Sequence, residues 1–131
     1  MGDERISDQA FSIDHRPVRE FDRSGSPSVH GGMEFQLSPA RSDVDARAAV
    51  RSVLEDERYV VGDWFDLPQP VHLVHDREAG GAFRVAVRGN TITFAVLPST
   101  TEAALETMHR RLVDVTESTW EIEREVLGDQ P

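Results

Sequence analysis

The stretch Ala82 to Leu97 constrains this fold more than any other. Ala82–Arg88 and Thr91–Leu97 each alternate apolar and polar residues, and Gly89-Asn90 lies between them. Two residues that tolerate positive φ between alternating segments make a tight hairpin. A two-residue loop then dictates the register: Arg88 opposite Thr91, Val87 opposite Ile92, Val85 opposite Phe94 and Phe83 opposite Val96. The apolar pairs all fall on one face. Arg84, Ala86, Arg88, Thr91, Thr93 and Ala95 fall on the other. A slip of one residue would move every side chain to the wrong face, so the pairing is strongly specified.

That apolar face needs a cover, and the flanking sequence supplies two helices. Ser42 or Asp43 is placed to cap a helix running to about Glu55, with Asp43 and Asp45 near its positive end. Ala46, Val50, Val53 and Leu54 lie on one side of it. After Pro98, Ser99-Thr-Thr-Glu102 reads as a capping box, followed by a stripe of Leu105, Met108, Leu112 and Val115. Further strands are expected at Glu34–Leu37, Arg58–Asp63 and Val71–His75. A last one spans Trp120–Val126, where Trp120, Ile122 and Val126 alternate with Glu121, Glu123 and Glu125. Arg124 is the odd member of that apolar side. The expected order is β-α-β-β-β-β-α-β: a two-layer α+β domain over 33–128, with a mainly antiparallel sheet and both helices on one face.

Residues 1–32 show no lasting period. Ser24 to Gly32 (SGSPSVHGG) has the composition of a linker, and the expectation is a disordered tail. Phe11 to Phe21 could dock on something, but the sequence favours the tail. Met33 reads as an alternative start. Residues 129–131 are expected to fray.

Charge narrows the setting. The chain of 131 residues carries 24 acids against 14 bases, for a net charge of -10, and every base is Arg. Acid excess without Lys points to a salt-rich archaeal cytoplasm, where charges are screened over a few Å. A high-GC codon bias would also replace Lys with Arg. A net negative surface disfavours phosphate backbones, so a nucleic-acid partner is not expected. With no Cys there is no disulfide, thiolate metal site or thiol nucleophile. No apolar run is long enough to span a membrane, and MGDERISDQA lacks the apolar core of a secretory signal.

Three groups of residues are candidate sites. Arg84 and Arg88, with Thr93 between small neighbours, form a platform on the helix-free sheet face, suited to an anion, a partner protein or a second copy. Pairing of these arginines with Glu121, Glu123 or Glu125 is the structural alternative. Trp64 and Phe65 in the connection Trp64–Pro70 could anchor a partner or plug the end of the core. His72, His75, Asp76 and His109 are weak metal candidates, because residues three apart on a strand point to opposite faces.

No catalytic spacing stands out, and no cofactor is expected. The reading is a small non-enzymatic binding or regulatory module acting through protein contact, as a monomer or a homodimer. The alternatives are a nucleic-acid-associated factor using Arg84 and Arg88, or a metal-dependent enzyme using the histidines and Asp76.

Overall fold

A computed structural model of the chain describes residues 11–13, 18–21, 27–30, 32–63 and 71–126. Its elements are β1 (Val18–Phe21), β2 (Pro27–His30), β3 (Met33–Pro39), α1 (Ala46–Leu54), β4 (Tyr59–Asp63), β5 (Val71–Asp76), β6 (Ala82–Arg88), β7 (Thr91–Val96), α2 (Glu102–Thr116) and β8 (Trp120–Val126). From β3 onward this is the order the sequence predicts. β1 and β2 pair with each other as a separate two-stranded sheet. The other six strands form one antiparallel sheet in the order β4-β5-β6-β7-β3-β8. Helix α1 carries the chain from β3 to the far edge at β4, and α2 carries it from β7 past β3 to β8.

The central hairpin has the register its alternation demands, with Phe83 facing Val96, Val85 facing Phe94, Val87 facing Ile92 and Arg88 facing Thr91. The apolar members of these pairs are buried together with Phe35, Leu37, Val74 and the inner residues of both helices. One core therefore joins one sheet face to the helix layer. At the turn Gly89 takes φ +60°, and Asn90 does not enter the positive-φ region. A type II′ turn asks for glycine only at its first central position, which fits. The Asn90 side chain then serves elsewhere: its Oδ1 accepts the Ala46 amide at 2.9 Å, satisfying the first turn of α1.

Both helix starts differ from the expectation. The N-cap of α1 is Asp45, whose carboxylate accepts the Ala48 amide at 3.1 Å. Asp43 is instead held by the Arg41 guanidinium at 2.8 and 3.1 Å, and these hydrogen bonds keep its carboxyl below the usual range. The N-cap of α2 is Thr101, not Ser99, and its hydroxyl accepts the Ala104 amide at 3.2 Å. A tight turn closes first, from the Thr100 amide to the Leu97 carbonyl at 3.0 Å. The buried Thr100 hydroxyl accepts the Leu97 amide and donates to the Ala82 carbonyl, which ties this turn to β6. Glu102 does not reach back. Its carboxylate accepts the Ile13 amide at 2.8 Å.

Three further differences concern packing. Val115 is 46% exposed, in the groove between α1 and α2, and Ala104 takes a place on the buried side of α2. On β8, Trp120 is buried and Ile122 half-buried, whereas Val126 is exposed beside Arg124. Phe11, in the segment expected to be a tail, is fully buried. Its ring lies 5.1 Å from that of Phe35, 6.0 Å from Phe94 and 5.5 Å from His109. A lone plug residue has no periodic neighbours, so no local pattern announces it.

Candidate functional site

Strand alternation leaves one face of the sheet turned away from the helices. β6 places Ala82, Arg84, Ala86 and Arg88 there, and β7 places Thr91, Thr93 and Ala95. Arg84 has Leu73 and Ala95 as cross-strand neighbours, and Thr93 has Ala86 and Gln36. Arg84 and Thr93 are half-buried and Arg88 is exposed. Arg84, Arg88 and Thr93, three of the five predicted contact residues, thus share one face.

Charge on that face is graded. The β5–β6 side carries Val71, Leu73, Ala82 and Ala86 around the two arginines. The β3–β8 side carries Glu34, Glu121, Glu123 and Glu125. β8 neighbours β3 rather than β6, so its glutamates stand beside Glu34, Gln36 and Ser38 and are not on a strand adjoining the arginines. Glu125 accepts a hydrogen bond from Gln36 Nε2 at 3.2 Å and lies directly opposite Glu34. Burial, and then the Glu125 charge, push the Glu34 carboxyl up, while Arg88 pulls it partly back.

The metal candidates are not brought together. His72 pairs with Val85 on the helix side, where it borders a cleft of about 400 Å³ lined by Val50, Leu54, Val61 and Val87. His75 pairs with Ala82 and is exposed on the opposite face. His109 packs on Phe11, and burial pulls its pKa down. Among the described residues no three His, Asp or Glu side chains converge on a metal position.

Asp76 has a different task. It is fully buried, and both of its oxygens accept from Arg58, Nε to Oδ1 and Nη2 to Oδ2, at 3.1 Å each. Oδ1 also accepts the Glu78 and Ala79 amides at 2.9 and 3.0 Å, an Asx-type turn that closes the β5–β6 connection. Arg58 in turn lies 5.7 Å over the Tyr59 ring. The Tyr59 hydroxyl is buried without a hydrogen-bond partner, and burial pushes its pKa up to about 12. Asp56 accepts the Arg58 amide at 2.9 Å and Arg111 Nη1 at 2.7 Å, linking this corner to α2. No local pattern in the sequence links Arg58 to Asp76. The local signal was Asp76 followed by the turn residues before Gly80-Gly81; the arginine comes from a distant part of the chain.

Trp64 and Phe65 lie outside the described residues. No helix of the described chain is long and apolar enough to cross a membrane. No protein family, curated protein or solved structure matches this chain.

Proposed function

We propose that this chain is a small non-enzymatic binding or regulatory module that acts through protein contact. The observation that carries the reading is the sheet face turned away from the helices. Leu73, Ala82, Ala86 and Ala95 surround Arg84, Arg88 and Thr93 there, an apolar and cationic area in a chain of net charge -10. Small apolar residues with arginine suit a protein partner, since arginine joins apolar packing to directed hydrogen bonds. The described positions of that face on β6 and β7 hold no aromatic ring for base stacking, which favours a protein over a nucleic acid.

A photo-crosslinking residue at Thr93 tests this in a high-salt lysate of the source cells. A defined partner is expected from Thr93 and not from Ser52 on the helix layer, and Arg84→Glu with Arg88→Glu should abolish its binding in purified form. Equal adducts from both positions, or binding unchanged in the double variant, would overturn the reading.

We also propose a salt-rich archaeal cytoplasm as the working environment. The support is the acid excess with arginine as the only base. Unfolding is then expected on dilution from roughly 2 M KCl, where screening is nearly complete, into dilute buffer. A circular-dichroism melt that is unchanged in dilute buffer would count against it.

A further inference from the structure

The geometry points to the outer edge of β4, which pairs with no further strand among the described residues, as a pairing surface for a second copy of this chain. It is separate from the sheet face proposed above and does not depend on it.

Backbone direction comes first. The Arg77 amide donates to the Arg58 carbonyl at 2.7 Å, in register with the Tyr59–Asp76 pair that follows. Antiparallel strands alternate pairs that exchange hydrogen bonds with pairs that do not. Positions 58, 60 and 62 therefore turn their polar groups to β5, and Tyr59, Val61 and Asp63 turn theirs outward. The Asp76 amide, which bonds to the Gly81 carbonyl on the β6 side at 3.1 Å, fixes the same alternation from the other side of β5. The Tyr59 amide is engaged by the Asp56 carbonyl at 3.1 Å. This leaves the Val61 and Asp63 amides and the Tyr59, Val61 and Asp63 carbonyls along the edge.

Two two-fold registers form four bonds each. One sets Gly62 opposite its own counterpart and the apolar Val61 opposite the acidic Asp63; the other keeps valine against valine. With Val61 opposite its own counterpart, two bonds form between the Val61 residues. One more runs from each Asp63 amide to the Tyr59 carbonyl of the other copy.

Side chains agree with the valine-against-valine register. It sets Val60 of one copy opposite Gly62 of the other, on the face away from the helices. Val60 is 46% exposed, and a Cβ at Gly62 would meet nothing within 4 Å. The valine thus covers a space the glycine leaves empty. On the helix side the two Val61 side chains, each 37% exposed, meet at the seam and extend the apolar floor formed with Val50, Leu54 and Val87. The axis stands perpendicular to the sheet, so both helix layers stay on one side. No acidic residue faces another acid across the strand pair, which matters between chains of net charge -10. The other edge fails this condition, because β8 paired with itself brings glutamates against glutamates.

The test is sedimentation equilibrium of the full chain over a concentration series in about 1 M KCl, where the screening length is about 3 Å. A monomer–dimer equilibrium is expected. Val61→Pro should weaken it by roughly tenfold or more, the scale of losing the two central hydrogen bonds. In the monomer that amide points to solvent, so the edge proline removes no ladder bond. Val61→Lys, which sets two ammonium groups at the seam, is the second variant in case the proline variant fails to fold, as judged by circular dichroism. Glu123→Gln on the opposite edge should leave the equilibrium unchanged. A wild-type chain that stays monomeric throughout, or a dimer that survives both Val61 variants, would overturn the proposal.

Discussion

β8 and β4 close the two sides of one sheet. β8 pairs all seven of its residues with β3, and β4 pairs five with β5. β8 holds an exposed glutamate at every second position. β4 reads Tyr-Val-Val-Gly-Asp, with both valines exposed and its acid at the end. Charges along an edge are a common guard against further strand pairing, and a short edge whose one acid stands at its end has less of that guard. The two sides are also anchored differently. The β3–β7–α2 side is held by apolar plugs, Phe11 and Trp120, and the β4–β5 corner by the Arg58–Asp76 ion pair. Burial of hydrocarbon and burial of charge thus do equivalent work at opposite ends of one sheet. They should fail in different ways.

Two substitutions break the comparison from each end. Phe11→Ala empties a fully buried ring position and should cost about 3–5 kcal/mol in urea denaturation. Arg58→Met leaves the buried Asp76 carboxylate without its guanidinium and should cost about 3–5 kcal/mol as well. Its effect should differ in kind. Hydrogen exchange should rise first in β4 and the β5–β6 turn, whereas Phe11→Ala should loosen β3, β7 and α2.

The smallest effect sharpens the acidic side. Glu34 has a carboxyl pKa raised by burial and then by Glu125, so its folded value lies above its unfolded one. The folded state then holds the proton more tightly, and stability declines as pH rises from the ordinary carboxyl range through the raised value. Glu34→Gln should therefore stabilise the fold at neutral pH by about 0.2–1 kcal/mol, the scale of a like-charged cross-strand pair. The gain should vanish below the ordinary carboxyl range, which thermal melts at both pH values would check.

These contrasts bear on what a sequence displays. The β6–β7 register was readable to the residue because alternation and a two-residue turn are local, and every apolar pair had to agree. The helices were readable from their stripes, but their caps were not. Several residues near each start have side chains that cap well, and the choice fell to partners outside the helices, two of the three distant in sequence. Arg41 takes Asp43, Ala82 takes Thr100, and Ile13 takes Glu102. The Arg84, Arg88 and Thr93 face was legible for the same reason as the register. Asp76 drew notice only as a ligand type, because its partner Arg58 stands in the turn just before β4, with all of β4 and the β4–β5 connection between them. Phe11 was illegible, since one aromatic residue among polar ones has the same local appearance in a core as in a tail.

The Asn90 side chain carries a consequence for the order in which the chain takes shape. It caps α1 from 44 positions downstream. During synthesis the residues of α1 emerge well before the hairpin tip exists. The Ala46 amide must rely on water until β6 has been made and the turn that follows it has closed. A nine-residue helix is marginal alone. Its completion is therefore timed by a loop that comes later in the chain, and the helix layer matures only once the sheet beneath it has a finished tip.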